Sequence, residues 1–202
     1  MQVAHKTISF ELNYKGENFP YKEFIASVLE LDRLNDVYLH IINKVLKANQ
    51  DKNESISIQL PIAFIEDLNN YSVLKELFNK FKKEKIQNII FEIEEDSFNK
   101  NLKNTFMYVN LFKEFNFDFA IFNFIANTDD YTYLKELKPK YIKASKYFLL
   151  ELKQSVNILK ILTQSLDIKL IATSVDESNE LNLLSEIGIN GISGSIMQNL
   201  QS

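Results

Sequence analysis

The chain has no cysteine and only four glycines, three prolines and two histidines among 202 residues. Without thiols there is no disulfide framework, thiolate nucleophile or thiolate metal site, and His5 and His40 alone do not make a histidine metal cluster. Any catalysis would therefore fall to carboxylates, lysines and hydroxyls, and no cofactor is expected. Scarce glycine also argues against phosphate-cradling loops, whose backbone must approach a ligand closely. No apolar run approaches the roughly 20 residues that span a bilayer, and the opening MQVAHKTISFELNYK lacks the apolar stretch of a secretory signal. Direct membrane insertion is not expected. Basic charge is scarce as well: 23 Lys and Arg face 27 Asp and Glu, for a net charge of -4, and Arg33 is the single arginine. A nucleic-acid polymer, bound through its phosphates by a basic field, is not an expected partner. What is present is 46% hydrophobic residues, enough for one substantial core, so one compact domain over residues 1–202 is expected.

From Ser55 onward, short β-rich runs alternate with longer stretches of helical periodicity. The strand candidates are SISIQL (55–60), NIIFEIE (88–94), FDFAIF (117–122), KYIKA (140–144), KLIAT (169–173) and NGIS (190–193). Between them, Leu74, Leu77, Phe78 and Phe81 share one helical face. Leu102, Phe106, Val109 and Phe112 make a second face, and Ile158, Leu159, Leu162 and Leu166 a third. Ahead of these lies TISFELNY (7–14), where Ile8, Phe10 and Leu12 alternate with polar residues as in a half-buried strand. Gly16 and Pro20 punctuate the chain before two helices, one carrying Phe24, Ile25, Val28 and Leu29, the other Leu39, Ile42, Val45 and Leu46. Repeated β-helix-β units require right-handed crossovers and parallel pairing, so the fold class is α/β, either a doubly wound sheet or a (β/α) barrel. About seven strands leave an eight-stranded barrel one short.

Several segments carry a resemblance. FPYKEFIASVLELDRL (19–34) is similar to "I-S-P-x-E-F-I-P-x-A-E-x-x-G-L", SISIQLP to "I-S-I-N-L-S", and FEIEED (91–96) to "L-E-I-T-E". Residues 120–145, AIFNFIANTDDYTYLKELKPKYIKAS, align without a gap on "A-x-D-D-F-G-x-G-x-S-S-L-x-Y-L-x-x-L-P-x-D-x-L-K-I-D". IATSVDESNELNLLSEIGINGISGSIM (171–197) resembles "V-A-E-G-V-E-T-x-x-Q-x-x-x-L-x-x-L-G-x-x-x-x-Q-G-Y-x-F". Across nearly its whole length the chain resembles the EAL domain, the barrel whose active members hydrolyse the bacterial second messenger cyclic di-GMP. The resemblance implies an EAL-like (β/α) TIM-type barrel lacking the first family strand, of a kind that sits at the C-terminal end of longer signalling proteins; with no signal or spanning run the expected setting is cytoplasmic, either free or as the cytoplasmic part of a larger membrane-anchored protein.

The same alignment removes the chemistry that active relatives use. Their carboxylates hold divalent ions at strand C-termini, which polarise the phosphodiester and lower the pKa of an attacking water. Here the Asp-Asp pair reads Phe122 and Asn123; phenylalanine ligates nothing, and an amide oxygen is a weaker ligand for a hard ion than a carboxylate. The signature glutamate falls near His5 and the ligand-binding arginine near Ser9. Gln59 stands in the asparagine position, Thr173 replaces a glutamate, Ser145 an aspartate and Ser193 the late glutamine, while Asp176 falls at the second acid of "A-E-G-V-E". Of the motif set, Glu92 and Lys143 survive. The phosphate-facing Gly-x-Gly becomes Ile125-Ala126-Asn127, which predicts loss of the positive φ that glycine permits. No metal site and no catalytic residue are expected.

Each remaining signal has a plainer alternative. Glu92 is read as a structural partner of Lys143 rather than a working acid, because a carboxylate inside a barrel needs a counter-charge. A Schiff-base role for Lys143 lacks a second catalytic lysine motif. Glu94, Glu95 and Asp96 read as solvated charges or a helix cap rather than a metal site. Asp129 and Asp130 fit the first turn of a helix, and the lysines among residues 80–85 fit the polar end of an amphipathic one. Phe106, Tyr108, Phe112, Phe115, Phe117, Phe119, Phe122 and Phe124 fall close together; most read as core, and any left exposed would anchor a protein contact. The expectation is a degenerate EAL-like pseudoenzyme acting as a signalling or protein-interaction module. A protein partner or self-association is expected, the latter through the 126–137 segment and an open sheet edge. The alternatives are a non-hydrolysing cyclic di-GMP receptor, which needs donors such as arginine around two phosphates, and, more remotely, an active phosphodiesterase.

Overall fold

The computed structural model describes residues 5–8, 12–14, 17–19, 21–50, 52, 54–82, 86, 88–126, 130–151 and 153–199. Ser9, Phe10, Gly16, Pro20, Lys83, Lys85, Asn127 and Asp129, singled out above, lie outside them. Two compact units interleave along the chain, one spanning Met1–Phe91 with Lys103–Phe117, the other Glu92–Leu102 with Asp118–Ser202.

The first unit opens with β1 (Lys6–Thr7), β2 (Leu12–Tyr14) and β3 (Glu17–Phe19), then α1 (Tyr21–Glu30) and α2 (Leu34–Ala48). It continues with β4 (Ile56–Leu60), α3 (Ile62–Glu66), α4 (Leu68–Phe81) and the first half of β5 (Ile89–Glu94). Its strand order is β1-β4-β5, with β1 and β4 parallel and Lys6 opposite Ile56. The expected single strand over 7–14 is thus corrected: β1 ends at Thr7, and β2 turns back on β3 as an antiparallel hairpin. Alternation of apolar residues reports a half-buried strand but not its partner, and here two partners divide the segment. Helix α4 starts where the Asp67 carboxylate accepts from the Asn69 N–H at 2.9 Å, satisfying one of the free donors of its first turn. Phe78 packs among Phe91, Phe112, Phe115 and Phe117, with Phe91 and Phe112 stacked at 4.2 Å between ring centroids. Phe112, Phe115 and Phe117 are three of the eight closely spaced aromatics, and none of the eight is exposed. The surface anchor that sequence left open is absent from them.

The second unit takes the remainder of β5, α5 (Glu95–Lys100), β6 (Asp118–Phe122), α7 (Thr132–Leu137), β7 (Tyr141–Ser145), α8 (Lys146–Glu151) and α9 (Lys153–Ser165). It ends with β8 (Lys169–Thr173), α10 (Ser178–Ile187), β9 (Gly191–Ile192) and α11 (Ile196–Asn199), while α6 (Leu102–Glu114) belongs almost wholly to the first unit. Strands β5-β6-β7-β8-β9 lie side by side, and the β6–β7, β7–β8 and β8–β9 pairs are parallel. The interiors of these strands are apolar on both faces, as parallel strands flanked by helices require: Phe119, Ala120, Ile121, Ile142, Ala144, Leu170, Ile171 and Ala172 are buried. The consequence for function is that β5, β6, β7 and β8 all finish at one end of this sheet, where their last residues and following loops meet.

Candidate functional site

Two charged side chains sit inside the apolar sheet. Glu92 on β5 is fully buried and Lys143 on β7 is 5% exposed, and the Lys143 ammonium donates directly to Glu92 Oε1. The two surviving motif residues are therefore each other's counter-charge, as expected from the cost of leaving either alone.

Asn123 directly follows β6 with φ +52°, a left-handed conformation that asparagine tolerates better than most residues. Its Nδ2 donates to Glu94 Oε1 at 2.8 Å. Phe122 is half-buried and offers no donor atom, while Phe124 is fully buried and its N–H donates to the Lys143 carbonyl at 3.1 Å. Glu95 is 1% exposed and accepts from the Ile125 N–H at 2.8 Å, whereas Asp96 pairs with Lys100 one turn along α5 at 2.8 Å. The acidic run is thus not uniformly solvated: its middle member is buried and fastens the loop after β6. Glu94, Asp96, Asn123, Phe124, Ile125 and Ser145 line a cavity of about 290 Å³.

Ala126 in that loop has φ +56°. It stands between Ile125 and Asn127, the two residues that replace glycine in the resemblance, and an alanine adopts this conformation at a cost of about 1–2 kcal/mol. Ala126→Gly should stabilise the domain by about 0.5–1 kcal/mol after the extra backbone entropy of glycine is deducted. A urea melt with a midpoint unchanged or lowered would show that the loop bears no such strain.

The other motif positions have local partners. Ser145 Oγ accepts from the Phe148 N–H at 3.2 Å, serving the first turn of α8. Thr173 donates its hydroxyl to the Ala144 carbonyl at 3.3 Å. Ser193 is exposed, and its backbone continues the β8–β9 ladder through Ala172. Gln59 lies on β4 of the first unit. His40 is exposed, and Asp130 accepts from the N–H and hydroxyl of Thr132, which hold its carboxyl below the usual range.

Sequence reasoning missed Lys146. Its side chain is 6% exposed, with Nζ 2.8 Å from Glu180 Oε1 and 3.1 Å from Asp176 Oδ2. The Glu180 hydrogen bond raises the Lys146 pKa above that of an ordinary lysine. Asp176 is held low, chiefly by the Ser195 hydroxyl and then by Lys146, and Glu180 is held low chiefly by Lys146. The available signal was D-E-S-N-E (176–180), whose Glu177 and Glu180 form the capping box that starts α10.

Divalent ions, which the resemblance implies, do not fit these donors. Phe122 has no ligating atom, and Asn123 and Thr173 offer only neutral oxygens where a hard ion favours carboxylates. The Glu92 carboxylate already faces an ammonium that would repel a cation. Among the described residues no group of three or more His, Asp or Glu side chains is placed to hold a metal ion. No described helix is long and apolar enough to cross a membrane.

The family model described as EAL domain matches residues 6–199. Among solved structures, the S helix-GGDEF-EAL portion of Vibrio cholerae LapD, bound to c-di-GMP, superposes with a TM-score of 0.85 at 20% identity, covering 96% of this chain and 49% of that one. The chain thus spans about half the length of the LapD fragment. The FimX EAL domain from Pseudomonas aeruginosa bound to c-di-GMP gives 0.75 at 21% identity, over 91% of this chain and 77% of that one. The Xanthomonas citri FimX EAL domain in complex with c-di-GMP gives 0.77 at 12% identity, over 92% and 78%. No curated protein sequence matches.

Proposed function

The chain belongs to the EAL domain family, and from that premise we propose that it is a catalytically silent member, a signalling module that works by contact with a protein partner or a second copy of itself. The observation that carries this reading is the Glu92–Lys143 pair: the motif carboxylate inside the sheet is neutralised from within. Phosphodiester hydrolysis at a strand-end metal site needs several carboxylates free to offset the ions. Phe122, Asn123, Ser145 and Thr173 supply none.

A second reading, a non-hydrolysing receptor, is favoured by the c-di-GMP in the LapD and FimX structures. Against it, the cavity carries Glu94 and Asp96, and the second unit has no arginine. Arg33 lies in the first unit, where it pairs with Asp36 at 2.9 Å. Two phosphates would meet carboxylates without the bidentate donors that normally recognise them.

Equilibrium titration with fluorescent c-di-GMP separates the readings. No saturable binding is expected at nucleotide concentrations up to about 10 μM, where a ligand with a micromolar Kd would be held. Saturation in that range, competed by unlabelled c-di-GMP and not by GMP, would replace the contact reading with the receptor one.

A further inference from the structure

Lys146 is the hub of a small closed network. Its ammonium contacts Asp176 Oδ2 and Glu180 Oε1. The opposite oxygen of Asp176 accepts from Ser195 Oγ at 2.7 Å and from the Ser195 N–H at 3.4 Å. The opposite oxygen of Glu180 accepts from the N–H groups of Asp176 and Glu177 at 3.0 and 3.1 Å. One lysine at the start of α8 thereby ties together the loop after β8, the first turn of α10 and the loop after β9. These are strand-end segments of one unit, and Asp176 is itself a motif acid.

Gathering carboxylate oxygens from successive loops is what a bound dication does, through charge and multiple coordination. An ammonium offers the same attraction with a single charge and three directed donors. We propose that Lys146 is a built-in counter-cation that keeps the loops after β8 and β9 assembled without a divalent ion, so that this end of the second unit holds one arrangement whether or not metal is offered. The inference rests on the silent reading, since a working metal site would need these strand ends free to respond to cations. It adds that the surface a partner meets is set constitutively.

Thermal melts of the full chain in EDTA and in millimolar calcium or manganese test it. Wild type should melt at the same temperature in all three. Lys146→Met should melt about 3–8 °C lower in EDTA, since it loses hydrogen bonds between charged groups and leaves two acids facing each other. Calcium or manganese should recover at least half of that loss, and Lys146→Met with Asp176→Asn should show no recovery. The proposal is overturned if wild type is stabilised by the cations, if Lys146→Met melts like wild type, or if its loss is the same with and without cation. Should Lys146→Met not fold, hydrogen exchange on Asp176→Asn carries the test: amides at 174–177 and 193–196 must exchange faster than in wild type, and unchanged exchange overturns the clamp. Turnover of c-di-GMP by wild type would sink the silent reading while leaving these melts to judge Lys146 separately.

Discussion

Lys143→Met is expected to destabilise the domain by about 3–5 kcal/mol, because it strands the Glu92 carboxylate inside the sheet. Glu92 is fully buried, so water cannot take over the task of the lost ammonium. Glu92→Gln alone should cost a comparable amount by stranding Lys143, which is 5% exposed. The pair itself contributes far less than either loss suggests, since bringing two charges out of water offsets most of their attraction. The double variant Glu92→Gln/Lys143→Met should therefore be more stable than the sum of the two single losses implies. Urea melts of the four proteins form the cycle. A coupling indistinguishable from zero would mean that the two side chains do not depend on each other, and the internal neutralisation of the site would fall with it.

Gly194→Ala should be comparably damaging for a purely steric reason. Gly194 has φ +156°, and a Cβ built there would lie 2.1 Å from the Val175 carbonyl oxygen and 2.5 Å from the Val175 nitrogen. These are backbone atoms held in place, since the Val175 N–H donates to the Ser193 carbonyl and the Val175 carbonyl accepts from the Ile196 N–H. No rotamer change relieves such a contact; the loops after β8 and β9 must separate. A cost of about 3 kcal/mol or more is expected, a fall in Tm of roughly 6–12 °C for a chain of this size. Gly188→Ala is the control. Gly188 ends α10 at φ +78°, and an added Cβ there meets only the flexible tip of Lys160 at 3.2 Å, so its cost is confined to about 1–2 kcal/mol of left-handed strain. Equal losses in the two variants would show that the close approach at Val175 has no energetic weight.

The strands from β4 to β9 were legible because each is a short apolar run bounded by polar or turn-forming residues, and KLIAT matches β8 end to end. Helices α4, α6 and α9 showed through their spacing of three and four residues. Helix α8, with six residues, is too short for periodicity to declare itself. The pairing of Glu92 with Lys143 was legible from chemistry alone once both were placed on strands, because neither tolerates burial unpaired. Lys146 was not legible. A lysine following Ser145 reads as a solvated charge, and its burial depends on Asp176 and Glu180, some thirty residues further on. The left-handed Ala126 was hidden for a related reason: sequence states which residue finds that conformation easy, while the hydrogen bond from Ile125 to the buried Glu95 acts on the loop it belongs to.

Without a metal site this EAL domain should not turn over c-di-GMP, which is tested by hydrolysis of the radiolabelled nucleotide by the purified chain in magnesium and in manganese, followed over hours by chromatography. The expected result is a product level equal to that of the protein-free blank with either ion. Linear, metal-dependent formation of the opened dinucleotide that disappears in Glu92→Gln would contradict it.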